Sequence, residues 1–183
     1  MPESDLVKTG IAGLDDILFG GIPRGNVILV EGAIGAGKTT MGVEFVSRGA
    51  SEFNEPAIIV VFEVPPSKIM RDALGLGWDL SKLEQQRQLK IVFTTRDVLR
   101  QELQQADSVL LEEAAKIGAR RIFIDGVGRL GPRRIRHDAR RAASAAFQAK
   151  ARRAVFLVAR RGFSWLYTAT IWFSFMRATR CWE

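Results

Sequence analysis

The sequence predicts an α/β fold: a mostly parallel sheet with helices on both faces. Three observations carry that prediction. Apolar, β-branched runs of five or six residues recur along the 183-residue chain, stretches of helical periodicity separate them, and the runs are continuous instead of alternating. Strands covered on both faces read that way, whereas a half-exposed strand alternates.

The elements follow in order. "NVILV", 26–30, is a buried strand bounded by Gly25 and Glu31. "KTTMGVEFVSRGA" begins a helix at 38 with Met41, Phe45 and Val46 on one face. "AIIVVF", 57–62, is a second strand, preceded by Pro56. "PSKIMRDALGLG" reads as a short helix stopped at Gly75 or Gly77. "LKIVF", 89–93, is a third strand. Beyond it Leu99, Leu103, Ala106, Leu110, Ala114 and Ile117 recur at spacings of four and three. That predicts one long amphipathic helix ending at Gly118. "RIFID", 121–125, is a fourth strand. No internal repeat or low-complexity linker interrupts the chain before residue 131.

Between the first strand and its helix lies "GAIGAGKTT", residues 32–40. Gly32, Gly35, Gly37, Lys38 and Thr39 satisfy the Walker A pattern G-x-x-x-x-G-K-[ST], and Ala36 and Thr40 join them as candidate nucleotide-binding residues. Glycines let the backbone wrap a phosphate with its N–H groups inward. Lys38 is a point charge for β- and γ-phosphates, and Thr39 offers a hydroxyl to Mg²⁺. The helix that starts there turns its unpaired N–H groups and positive dipole end to the anion. The pattern alone arises by chance in loops; a strand before it and a helix after it make it a nucleotide site.

Two acids complete the set. "RIFID" ends in Asp125, at the end of a strand, where an acid can hold Mg²⁺ through water. The plain alternative is a strand-ending Asp that caps a turn. "VVFE" ends in Glu63. A carboxylate at the carboxyl end of a parallel strand faces the ligand crevice, so Glu63 can orient or deprotonate a water. The alternative there is an ordinary surface Glu.

These residues resemble a known family. "TGIAGLDDILFGGIPRGNVILVEGAIGAGKTT", 9–40, is similar to the opening of the KaiC-like branch of RecA-like P-loop ATPases. "LGWDLSKLEQQRQLKIV", 76–92, and "RRIFIDGVGRL" are similar to the family's G-W-D-L segment and its Asp-ending strand. The resemblance runs from about residue 7 to 131. It implies a RecA-like core, ATP and Mg²⁺ as ligands, ATP hydrolysis, and assembly into a homo-oligomeric ring, often a hexamer, with nucleotide at subunit interfaces. The family's roles pass to Gly32, Gly37, Lys38 and Thr39 for phosphate and Mg²⁺, to Glu63 as base and to Asp125 for the metal. Two departures stand out. The family often carries two adjacent glutamates where this chain has Glu63-Val64, and its later strands end in Lys and Arg residues that reach into the neighbour's site. No such ending is recognisable here.

The net charge of +7 is unevenly spread. Residues 1–132 hold 15 Lys and Arg against 18 Asp and Glu, a net of −3; residues 133–183 hold 12 against 2, a net of +10. The expected division is therefore a core over 1–132 and an Arg- and aromatic-rich tail over 133–183. "DARRAASAAFQAK" and "AVFLV", 154–158, can complete the core with one helix and one strand, the strand filling an open edge. The aromatic run from Phe163 to Met176 is 14 residues, short of the roughly 20 that span a bilayer. Arginine beside aromatic rings can bind single-stranded nucleic acid. It can also be a solvated or membrane-adsorbed face, but the leading reading is sequence without a selected function, such as the product of a frameshift or truncation. The expectation is that residues from about 133 onward are not the family's natural ending.

The rest of the composition excludes more than it assigns. The N-terminus has no apolar stretch of a signal peptide. The one cysteine, Cys181, leaves no internal disulfide and fits a reducing cytosol. The one histidine, His137, has no Cys or His companions at metal spacing. The leading reading is a cytoplasmic, oligomeric regulatory or signalling ATPase with ATP and Mg²⁺, and a protein partner is compatible with it. A nucleotide-binding module with little turnover is the alternative. A DNA-recombination ATPase fits less well, because an acidic core lacks the Lys and Arg that phosphate contacts need, so nucleic acid is not an expected partner of the core. An autokinase would need a phosphosite segment, and none is identifiable.

Overall fold

A computed structural model of the chain describes residues 6–102, 108–127 and 155–161. Five parallel strands form one sheet in the order β3-β7-β6-β4-β5, with β3 over Val27–Gly32, β4 over Ala57–Val61, β5 over Leu89–Phe93, β6 over Arg121–Val127 and β7 over Val155–Arg161. All four pairings are parallel. A separate two-stranded antiparallel ribbon joins β1 (Leu6–Val7) to β2 (Ile22–Pro23), with α1 (Leu14–Ile17) between them.

The strand residues divide by parity, as the two-residue period of a strand requires. On β4, Ala57, Ile59 and Val61 point to one core while Ile58 and Val60 point to the other. The first core is covered by α2 (Lys38–Glu52), α3 (Pro66–Leu74) and α4 (Leu80–Gln85) through Phe45, Val46, Ile69, Ala73, Leu80 and Leu83. The second is covered by α5 (Arg96–Glu102) and α6 (Val109–Ile117) through Leu99, Leu110, Leu111 and Ala114. Helices therefore lie on both faces of a parallel sheet, the predicted fold class.

Four differences from the sequence reading are informative. The strand expected at 154–158 spans Val155–Arg161 and does not fill an edge: it lies inside the sheet, between β3 and β6. The long helix expected after β5 is divided, because Ser108 is extended and caps α6, its side chain accepting from Leu111 N at 3.2 Å. Glu102 at the end of α5 accepts from the Ser108 hydroxyl at 2.6 Å and from Leu110 N at 3.1 Å. These bonds, the hydroxyl's first, hold its carboxyl below the usual glutamate range. The six-residue α4 was not foreseen; Asp79 caps it by accepting from Lys82 N at 2.9 Å. Nor was the β1–β2 ribbon, whose strands are too short to show a period. The expected helix over 138–150, His137, the aromatic run 163–176 and Cys181 lie outside the described residues.

Helix α2 sits directly on β6. A Cβ on Gly42 would run into the Phe123 ring, and one on Gly49, two turns later, into Arg121. Arg121 itself is fully buried. It donates to Glu55 Oε2 (2.8 Å from Nε), to Phe45 O (2.8 Å) and to Lys8 O (2.7 Å), and lies over the Phe45 and Phe53 rings. Arg24 pairs with the other oxygen of Glu55 at 2.5 Å. Burial pushes the Arg121 guanidinium down from its ordinary value, and Glu55 chiefly opposes that push. One side chain thus joins the N-terminal segment, α2 and the start of β6.

Candidate functional site

All the candidate residues come from one end of the sheet. β3 runs out at Gly32, the loop turns through Gly35 (φ 83°) and Gly37 (φ 78°), and α2 begins at Lys38. Left-handed backbone at two positions so close together is what glycine supplies, and it bends successive N–H groups into an anion-binding concavity. Lys38 Nζ donates to Gly32 O at 3.0 Å and Ala33 O at 2.6 Å, so the ammonium lies across the loop's own carbonyls.

β6 brings in the first acid. Its ladder with β7 is regular up to Ile124↔Val158 and resumes at Val127↔Arg160 with one extra residue on β6. Asp125 and Gly126 (φ 83°) occupy that irregularity. An extra residue re-aims side chains, as bulges near ligand sites do. Thr39 Oγ1 donates to Asp125 Oδ2 at 2.9 Å. A hydroxyl and a carboxylate, oxygen donors only, suit Mg²⁺, which takes few protein oxygens and completes its shell with water and phosphate. Among the described residues no cluster of three His, Cys, Asp or Glu offers a different kind of metal site.

Glu63 follows β4 at the same end. A cavity of about 280 Å³ is lined by Gly35, Gly37, Lys38, Thr39, Thr40, Glu63, Val64, Asp125 and Gly126, with Ile34 at its rim and Ala159 of β7 in its wall. Gly32 and Ala36 lie just behind: a Cβ on Gly32 would meet Ala36 Cβ at 3.3 Å. The lining thus gathers Lys38, Thr39, Glu63 and Asp125, from three separate parts of the sequence. Val64 packs on the first core instead of offering a second carboxylate.

One residue at the site was not foreseen. Arg96, the first residue of α5, forms an ion pair with Glu63. Its Nε and a terminal nitrogen donate to Gly126 O at 3.0 and 2.8 Å, and its guanidinium lies 5.5 Å from the Phe62 ring centre. Its sequence signal was present though faint: a basic residue three places beyond a parallel strand, at the crevice end of the sheet.

The family model described as "ATPase: KaiC" matches residues 7–157, which includes the loop, both acids and the first residues of β7. The circadian clock oscillator protein KaiC of Synechococcus elongatus is 39% identical over 127 residues, covering 66% of this chain and 24% of that protein. The circadian clock protein KaiC2 of Synechocystis is 39% identical over 127 residues, 65% of this chain and 22% of that protein. UPF0273 protein MJ1359 of Methanocaldococcus jannaschii is 43% identical over 86 residues, 47% of this chain and 36% of that protein. The aligned part is thus between about a fifth and about a third of each relative's length. Among the described residues no helix is long and apolar enough to cross a membrane. The match over residues 7–157, on a doubly covered parallel sheet, means that this chain belongs to the KaiC family of ATPases.

Proposed function

We propose that this chain binds ATP with Mg²⁺ and hydrolyses it, in the cytoplasm, as a regulatory or signalling oligomer. The carrying observation is the direct hydrogen bond from Thr39 to Asp125, 86 residues apart in sequence, beside the loop that ends in Lys38. In this reading Gly32, Gly35, Ala36, Gly37 and Thr40 shape the phosphate cradle, and Lys38 leaves the carbonyls of Gly32 and Ala33 for the stronger acceptors of a polyphosphate. Thr39 and Asp125 would hold Mg²⁺, which when bound neutralises charge on the phosphate oxygens. Glu63 orients a water and accepts its proton as the water oxygen bonds to the γ-phosphorus and the bond to the ADP oxygen breaks. Family membership supports a ring with nucleotide between subunits, and so does Ile34, 79% exposed at the cavity rim. Size-exclusion with light scattering, with and without ATP and Mg²⁺, tests it; a monomer under both conditions removes the ring.

Two substitutions test the site. Lys38→Ala is expected to weaken ATP binding about ten- to a hundredfold, the value of a charge-assisted contact. Unchanged affinity in a titration would sink the nucleotide site. Glu63→Gln is expected to keep ATP binding and to slow phosphate release by about 10² to 10⁴. Equal rates in the two proteins would remove Glu63 as the base. Val64 favours a second reading, a nucleotide-binding module with little turnover, and a steady-state phosphate-release assay of the parent chain separates the two.

A further inference from the structure

We propose that Arg96 is the positioning residue of the hydrolytic base: fixed by β6 and the Phe62 ring, it holds Glu63 in place beside the phosphate cradle. This role rests on the reading of Glu63 as the base. The backbone brings Arg96 there. Thr94 N donates to Val61 O at 3.1 Å, so the turn after β5 is tied to the end of β4. Arg96 then reaches past β4 to the carbonyl of Gly126, on β6, the residue after Asp125.

The order of constraint matters. Two nitrogens of the guanidinium bond one backbone carbonyl, and its cationic head lies near an aromatic ring. It is therefore set by the sheet before Glu63 is considered. Glu63 is the half-exposed partner, a long side chain 42% exposed, and the ion pair narrows the rotamers open to it. The ion pair captures Oε1 of that carboxylate. An isolated surface pair would need none of the anchoring on Gly126, and a base oriented by a third group is the arrangement that hydrolytic sites require. Among the described residues, Lys38 of α2 and Asp125 of β6 supply the other charges lining the cavity. The anchoring also specifies arginine: a lysine is a point charge and cannot span the Gly126 carbonyl and Glu63 with one planar fork.

The test uses the full chain and four variants: Arg96→Gln, Arg96→Lys, Glu63→Gln and the double substitution Arg96→Gln with Glu63→Gln. Arg96→Gln is expected to lower kcat about ten- to a hundredfold, the scale of a misplaced reacting group. KM for ATP and affinity for a non-hydrolysable ATP analogue should stay within about twofold, because no phosphate contact is lost. Arg96→Lys, which keeps the charge, should recover part of kcat. In the Glu63→Gln background Arg96→Gln should cost nothing more, since a residue acting through Glu63 has nothing left to position. A fully active Arg96→Gln beside an inactive Glu63→Gln overturns the role of Arg96 alone, and so does a full additive loss in the double variant. A Glu63→Gln as active as the parent, or a parent without turnover, overturns the base and this role together.

Discussion

An arginine–glutamate pair lies against each end of strand β6, and the two ends differ in almost every other respect. At the amino end Arg121 and Glu55 are 0% and 6% exposed, closed in by Phe45, Phe53 and Gly49 of α2. At the carboxyl end Arg96 and Glu63 are 40% and 42% exposed, beside an open cavity. A buried pair cannot be broken without leaving a charge in a dry place, so it behaves as a permanent join. A half-exposed pair can be exchanged for water at little cost, so it is free to serve chemistry instead of stability. The same two residue types thus do different work at the two ends of one strand, and burial decides which.

The largest expected effect tests the amino end. Arg121→Ala strands Glu55 with Arg24 as its remaining partner and frees two backbone carbonyls that Arg121 now satisfies. Breaking a buried pair by removing one member costs about 3–5 kcal/mol. Urea unfolding at neutral pH should register that loss, and hydrogen exchange should rise first near Lys8, where the N-terminal segment loses its anchor. A cost below about 1 kcal/mol would erase the contrast between the two ends.

A smaller effect sharpens the same end. Gly49→Ala places a methyl where the Arg121 side chain runs. An arginine usually swings aside, but this one is pinned at three nitrogens. Overpacking of that kind costs about 1–3 kcal/mol. In an Arg121→Ala background the clash disappears, so the two losses should sum to less than their parts by a margin that a double-mutant cycle resolves. Strict additivity would mean that the glycine serves something other than room for Arg121.

The contrast also explains what the sequence could and could not disclose. β4, β5 and β6 were legible because strands covered on both faces must be continuous apolar runs, and the phosphate loop was legible because its glycines, lysine and threonine must keep a fixed local spacing. Glu63 and Asp125 could be placed because both close such runs. Arg121 opens the run "RIFID", where it reads as the polar flank of a strand; its burial depends on Glu55 and Gly49, 66 and 72 positions away. Arg96 escaped for the same reason, since Glu63 after β4 and Gly126 on β6 lie 33 and 30 positions away. The position of β7 inside the sheet follows from crossovers, not from the residues of the strand. The single long helix was over-read because its periodicity continues past Ser108, whose cap outweighs the pattern.

The smallest expected effect tests the carboxyl end. Arg96→Ala removes an ion pair, two bonds to Gly126 O and a contact with Phe62, which by count equals much of what Arg121 makes. A tally of contacts would therefore forecast a similar loss of stability. Exposure argues otherwise. Glu63 is open enough to be rehydrated, and the Gly126 carbonyl lies in a cavity wall that water can reach. The pair's net contribution to stability is then that of a surface pair, about 0–1 kcal/mol. Urea midpoints for Arg96→Ala and Arg121→Ala, measured in one buffer, should differ several-fold in their displacement from the parent. Raising the salt should shrink the Arg96 effect and leave the Arg121 effect nearly unchanged, because screening reaches only the exposed pair. If Arg96→Ala cost 3 kcal/mol or more by the same scale, the carboxyl-end pair would be a structural join like its counterpart, and the division of labour along β6 would fail.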